Sequence, residues 1–367
     1  MYHRCSHIIV CIFICANVLA QNKLSGKVLD ESNNFPLNGA SVYFNNTSIG
    51  TVTNDKGEFH IPNAISGEII ISSIGYDRMI IKLQTSEFAG KSFTFKLGKK
   101  AAMLKDVLIL PDATRKRYLK IFIENFLGIT EEAARSSITN LSVINFSKAE
   151  EHGAFLAYAD TPLIILNKKL GYIIRFELVE FYFNGRDGAT SFYGFTRYEE
   201  MGDKKRWVKN RRDTYYGSTL HFFRSFINNQ LEQEHYHIQL VRADSLKQTS
   251  ASGQIIGYKK IDVGLPTRLA DLVKKDSIPG MNVAYWKDRL MVQYLKNPAG
   301  KNYLKQKTFL AGNVSVGFRS QLKIISKEIH IDQYGILAEP LNILYSGYWI
   351  YEKAANLLPY NYYPDAN

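Results

Sequence analysis

The chain has 367 residues, 46% of them hydrophobic and 22% charged, with a formal net charge of +12. This length suggests two domains, and the ordinary composition excludes wholesale disorder. The positive charge favours anionic partners such as acidic glycans or lipid headgroups, but says nothing about fold.

The first twenty residues differ in kind from the rest. Met1 to His7 is a polar head carrying Arg4, Ile8 to Ile14 is wholly apolar, and small or apolar residues ending at Ala20 precede Gln21. This three-part layout predicts a secretory signal peptide over 1–20, cleaved between Ala20 and Gln21. A membrane anchor needs about 20 apolar residues, and Asn17 and Gln21 end this run too early. Cys5, Cys11 and Cys15 are the three cysteines of the chain, and all lie in this segment. The mature protein is therefore expected to contain no disulfide, thiolate metal ligand or cysteine nucleophile.

From Leu24 to Leu97 short strands alternate with turns. Ala40, Val42 and Phe44 alternate with Ser41 and Tyr43, the period of a half-buried strand. Asn54-Asp55-Lys56-Gly57 is a turn whose glycine is available for a positive φ. Phe59 and Ile61 follow, then Ile69 and Ile71 on one face with Ile70 and Ser72 on the other. Strands at this spacing predict an all-β sandwich over 21–98.

Gly26, Val28 and Asp30, then Pro36-Leu37-x-Gly39-Ala40-x-Val42, Gly50-Thr51-x-Thr53-Asn54-x-x-Gly57-x-Phe59-x-Ile61 and Ile71-x-Ser73-x-Gly75-Tyr76, stand in a specific order. This span resembles the carboxypeptidase regulatory-like domain. The resemblance implies a transthyretin-like β-sandwich of roughly seven strands, acting as a folding aid or interaction platform. It does not imply peptidase activity. A zinc carboxypeptidase of that kind needs His-x-x-Glu, and none of the eight histidines has Glu three residues on.

Residues 99–117 read as a linker in which Leu104 to Leu110 suits one strand. The segment also resembles the one that follows this module in TonB-dependent transporters. A 22-stranded barrel at about 10 residues per strand does not fit the remaining chain alongside its helical patterns. Residues 118–367 read as a larger mixed α+β domain. Leu119, Phe122, Ile123, Phe126 and Leu127 form a helical face closed by Gly128. Leu163 to Leu166, Tyr172 to Phe183 and Thr190 to Tyr198 read as strands, the last two as a hairpin turning at Asp187-Gly188. Asp203 to Asn228 reads as one long helix capped by Asp203. Asp244 to Gly264 lacks any period and reads as an exposed loop. Ala284 to Tyr294, Asn313 to Phe318, Leu322 to Ile331 and Leu344 to Tyr351 read as strands. Phe126-Leu127-Gly128, Pro162 to Tyr172, and Tyr215-Tyr216-Gly217-Ser218 with His221-Phe222 resemble an uncharacterised region that follows the same module in Gram-negative envelope proteins. That likeness implies a periplasmic or outer-membrane location and transfers no site.

No reaction is written in the spacing of functional residues. His235 and His237 suit one face of a strand, but zinc needs three or four ligands. The nucleophile elbow and the phosphate-cradling loop are missing from the sequence. Glu199-Glu200 would point apart on a strand, a poor arrangement for a glycosidase pair. No catalytic residue, metal or cofactor is therefore expected. The one candidate binding feature is basic. Lys204, Lys205, Arg206, Lys209, Arg211 and Arg212 crowd the start of the long helix, where the dipole disfavours cations, and Lys204, Arg206, Arg211 and Arg212 with Trp207 are the candidate contacts. They suit either a solvated face or contact with an anionic glycan or lipid surface. The sequence-based expectation is a non-enzymatic envelope protein that binds a protein partner or glycan, without nucleic acid and without a membrane span in the mature chain. The alternative is a hydrolase of an envelope polymer using acidic residues of the second domain.

Overall fold

The computed structural model describes residues 22–88, 91–100, 110–249, 255–296 and 318–364. The expected signal peptide, its cleavage site at Ala20 and Gln21, and the strand expected from Asn313 fall largely or wholly outside these residues. So does most of the strand expected from Leu104.

The N-terminal unit contains β1 (Leu24–Asp30), β2 (Ser41–Phe44), β3 (Gly50–Val52), β4 (Glu58–Ile61), β5 (Gly67–Ser72), β6 (Met79–Leu83), the one-turn α1 (Thr85–Phe88) and β7 (Ser92–Leu97). Two sheets, ordered β4-β1-β7 and β3-β2-β5-β6, face each other as the sandwich expected from the alternation. Leu24, Val28, Val42, Phe44, Ile69 and Ile71 fill the space between them. Gly57 has φ +70° in the β3–β4 turn, and a Cβ there would sit 2.6 Å from the Val28 carbonyl oxygen. Only glycine meets both conditions without strain.

The larger remainder is built on two further cores. Helices α2 (Asp112–Phe126) and α3 (Glu131–Ala134) precede β8 (Ser136–Ile138), β9 (Ile144–Lys148), β10 (Ala154–Ala159), β11 (Leu163–Asn167), β12 (Tyr172–Asn184) and β13 (Thr190–Glu200). The sheet runs β8-β11-β12-β10-β9, with β13 along β12. Phe122 and Phe126 of α2 pack into it beside Phe176 and Phe181. Helix α2 begins inside the span expected to be linker, and Leu110 already packs against this core.

Helices α4 (Lys205–Tyr215) and α5 (Thr219–Ile227) lead to β14 (Tyr236–Thr249), β15 (Ile255–Leu265), β16 (Val273–Lys275), β17 (Met281–Ala284), β18 (Arg289–Tyr294), β19 (Phe318–Ile324), β20 (Ile329–Asp332) and β21 (Ile343–Gly347). They form sheets β15-β14-β18-β19-β21 and β16-β17-β20. Phe222 and Phe226 of α5 pack with Leu290, Leu322 and Trp349 in this third core. The C-terminal segment then returns to the second core, where Ala354 N–H donates to the Phe126 carbonyl.

The structure differs from the sequence expectation at five places. The single helix over 203–228 is two, broken at Tyr216-Gly217-Ser218, where Gly217 has φ +88°. Ser218 caps α5 by accepting the His221 N–H at 3.2 Å. Asp203 caps nothing, since α4 starts after Lys204 without a side-chain cap. Of the loop expected over 244–264, residues 244–249 belong to β14 and 255–264 to β15, paired from Leu240↔Leu265 to Thr249↔Ile255. Residues 242–245 are exposed on both faces, so no alternation marks the strand. The strands expected over 284–294 and 322–331 are each interrupted by a turn, the first at Asp288 with φ 60°.

Candidate binding site at the domain junction

The sandwich is fastened to the second core. Tyr43 and Ile70 point away from the sandwich interior and pack with Phe195, with Val179 against them. Within this contact Glu177 of β12 is 8% exposed. Its carboxylate accepts from Tyr43 Oη at 2.8 Å, Ser72 Oγ at 2.6 Å and Arg78 Nε at 2.7 Å. Arg78 also lies over the Phe195 ring, 4.5 Å from its centroid. A buried carboxylate with three donors is satisfied, whereas loss of those donors would leave a costly charge.

A second fastening is backbone pairing. The β2–β3 turn, Asn45 to Ser48, lies beside β13. Asn46 N–H donates to the Thr196 carbonyl at 2.7 Å, and Tyr198 N–H donates to the Thr47 carbonyl at 2.9 Å. Asn46 takes φ 57° to make this turn. On its other side Tyr360 N–H donates to the Asn46 carbonyl at 2.7 Å, and Ser48 N–H donates to Asn361 Oδ1 at 3.0 Å. The turn is thus held between β13 and the C-terminal segment.

These contacts wall a cavity of about 390 Å³. The sandwich supplies Phe44, Glu68 and Lys82, the β12–β13 hairpin supplies Phe192 and Tyr193, and the C-terminal part supplies Asp332, Tyr334, Tyr360 and Tyr363. Its size is that of small-molecule sites, which are commonly apolar with a few polar groups. One Asp332 oxygen accepts the Tyr334 and Ile336 N–H groups at 2.8 and 2.9 Å. Burial raises this carboxyl above the usual carboxylate range, against those hydrogen bonds and the nearby Lys82 and Arg224 charges. Burial, then the Asp332 and Glu68 charges, push the Tyr360 phenol up to about 12. Burial and the Glu68 charge also raise Tyr193, against Arg78. Arg224 braces the wall, donating to the carbonyls of Tyr334, Tyr362 and Tyr360 at 2.9, 2.8 and 2.7 Å.

The basic cluster expected at the long helix is divided. Lys204, Arg206 and Arg212 are exposed, but Trp207 and Arg211 are buried. Trp207 Nε1 donates to the Lys168 carbonyl at 3.1 Å. Arg211 donates to the carbonyls of Leu170 and Gly171 and pairs with Glu200 at 2.9 Å. Its guanidinium also lies 3.9 Å from the Tyr172 ring centroid. Two of the five residues are therefore committed within the fold. Glu199 and Glu200 do not meet at one site. Burial opposes the Glu199 carboxylate, but Arg175 and Arg197 hold it below the usual range.

His235 is not on a strand. It is a turn residue with φ 62°, immediately before β14, so it forms no ligand pair with His237. Among the described residues no cluster of three or more His, Cys, Asp or Glu is arranged for a metal. His221 accepts the Gly217 N–H on Nδ1 at 3.1 Å, and its Nε2 lies 3.0 Å from Glu234. Burial lowers its pKa, opposed by Glu234. The neutral ring with its proton on Nε2 satisfies both contacts. Tyr236 Oη is 3.0 Å from Nδ1, but that residue is only 5% exposed. His221 and Tyr236 are thus buried at the start of α5, and Glu234, 40% exposed, covers them from the surface.

Residues 24–109 match the family model described as CarboxypepD_reg-like domain. The N-terminal sandwich is a CarboxypepD_reg-like domain. The name concerns this module, and the cavity above lies where the CarboxypepD_reg-like domain meets the rest of the chain. No curated protein matches the chain. Among solved structures, a Bacteroides fragilis protein described as membrane-associated and of unknown function is 9% identical, covering 84% of this chain and 92% of its own, with a TM-score of 0.17. A 9R-lipoxygenase from Cyanothece is 11% identical, covering 62% of this chain and 52% of its own, with a TM-score of 0.15. At such scores neither carries an argument about fold or function. No helix among the described residues is long and apolar enough to cross a membrane.

Proposed function

We propose that the chain is a non-enzymatic exported cell-envelope protein, periplasmic or outer-membrane associated, that binds a protein partner or an envelope glycan. The CarboxypepD_reg-like domain is its docking and stabilising module. The observation that supports this reading is the junction cavity, whose walls come from the sandwich, the β12–β13 hairpin and the C-terminal segment. An occupant would touch all three and strengthen their association. The exposed Lys204, Arg206 and Arg212 would add affinity for an anionic envelope surface.

A cavity holding two carboxylates also suits a hydrolase, and Glu68 and Asp332 both line this one. Both are already engaged. Glu68 Oε2 accepts from Asn45 Nδ2 at 2.7 Å, and Asp332 holds its own turn. Carboxylates used to fix loops are poorly placed to shuttle protons, which makes hydrolysis the second reading.

The test is incubation of the purified mature chain with peptidoglycan sacculi and with outer-membrane vesicles. Binding is read by co-sedimentation and turnover by soluble fragments. The expected result is co-sedimentation without fragment release above the blank. Fragment release that stops in Glu68→Gln or Asp332→Asn would overturn the non-enzymatic reading. Intact mass of exported material checks the leader, with Gln21 expected as the first residue.

A further inference from the structure

We infer that the junction cavity is a sugar-binding site, shaped for a neutral, hydroxyl-rich glycan unit of one or two residues. This rests on the binding reading above and deepens it.

Three features converge. First, the mouth carries accessible aromatic surface. Tyr193 is 41% exposed and Tyr363 43% exposed, and both line the cavity. Their rings are held in place rather than free. Tyr193 packs edge-on to Phe195 at 5.4 Å between centroids, and Tyr363 has the Arg224 guanidinium 4.0 Å from its centroid. Rigid rings offer the apolar face of a pyranose a platform at little entropic cost.

Second, polar acceptors lie among apolar walls. Glu68 and Asp332 share the cavity with Met281, Ile336, Leu337 and Leu357. A hydrocarbon ligand would strip water from these carboxylates without replacing its hydrogen bonds, which is costly. Sugar hydroxyls donate to carboxylates while the ring's C–H face meets the aromatic and aliphatic surface.

Third, charge is balanced. The two carboxylates face Lys82 on the rim and Arg224 behind the wall, and both cations act on Asp332. A neutral ligand leaves that balance intact, whereas a uronate would bring a third carboxylate to it. The size agrees, since about 390 Å³ lies at the small end of ligand pockets.

The experiment is titration of the full mature chain with N,N′-diacetylchitobiose and with a glucuronic-acid disaccharide, read by saturation-transfer NMR and calorimetry. The expected result is binding of the neutral disaccharide at least about tenfold tighter than the uronate, a difference near 1.4 kcal/mol. Tyr193→Leu should weaken it about tenfold or more, and Tyr193→Phe, which keeps the ring, should retain it. Melting curves of both variants establish that they fold. Failure of the neutral sugar to bind, equal or tighter uronate binding, or unchanged affinity in folded Tyr193→Leu would each overturn the assignment. If sacculus binding persists while the disaccharides are ignored, the sugar assignment fails and the envelope-binding reading stands. If both are lost in the unmodified chain, that reading fails too.

Discussion

The Tyr43 hydroxyl donates to Glu177 Oε1 at 2.8 Å across the boundary between the CarboxypepD_reg-like domain and the second core. The same carboxylate takes Ser72 and Arg78 from the sandwich. One side chain on β12 therefore gathers three donors from the neighbouring module, and the module is docked rather than tethered.

Glu177→Ala leaves Arg78 and Tyr43 without their acceptor in a contact sealed by Phe195 and Ile70. Removing one partner of a buried pair costs about 3 kcal/mol or more. Urea denaturation should show a lower midpoint, with the sandwich melting apart from the remainder. Glu177→Gln keeps an acceptor for Tyr43 and should cost less. A Glu177→Ala chain that melts like the parent would show that the docking is not held this way.

Helix α4 is seated on the turn after β11. Gly171 has φ +72°, and a Cβ there would sit 2.3 Å from the Trp207 ring. Gly171→Ala is expected to destabilise by more than about 1 kcal/mol through strain and displacement of the indole. Arg211→Ala strands two carbonyls and Glu200, at about 1–3 kcal/mol. Exposed Arg212→Ala should change stability by less than about 0.5 kcal/mol. Thermal melts of the three variants check this order. Equal effects at Arg211 and Arg212 would contradict the division of the basic cluster.

Burial pushes the Glu352 carboxyl up to about 8, although Thr219 donates to it through N–H at 3.2 Å and Oγ1 at 3.4 Å. An acid raised in the folded state binds its proton more tightly there than in the unfolded chain. Its stabilisation is complete below the ordinary glutamate range and is lost as pH rises toward 8. Lowered His221 acts in the opposite sense, weakening the fold as pH falls through the ordinary histidine range. Comparison with Glu352→Gln cancels the histidine contribution. The parent should lose more than about 1 kcal/mol relative to Glu352→Gln between about pH 5 and about pH 9. Parallel stability curves would contradict the raised carboxyl.

The sandwich was legible because its turns and alternation are local. Gly57 announced a positive φ, and Ile69-Ile70-Ile71 placed an apolar residue on the outer face, where Ile70 meets Phe195. Glu177 could not be read the same way. It alternates with Phe176 and Leu178 on β12 and resembles an ordinary solvent-facing residue until another module covers it. Asn45-Asn46-Thr47-Ser48 likewise reads as a plain turn, although it pairs with β13 and with the C-terminal segment. The cavity draws its walls from residues between Phe44 and Tyr363, so no spacing within the sequence could mark it. The division of the basic cluster was hidden for a related reason. Periodicity shows that Arg211 lies on a helix, but not that the turn at Leu170 and Gly171 supplies its acceptors.

Sandwich, hairpin and C-terminal segment wall one cavity, and a ligand in it would touch all three. Hydrogen–deuterium exchange of the mature chain, with and without saturating N,N′-diacetylchitobiose, tests it most directly. Exchange is expected to slow at once in residues 44–47, 192–194, 332–338 and 360–363. Slowing confined to one of these segments, or found only elsewhere in the chain, would contradict it.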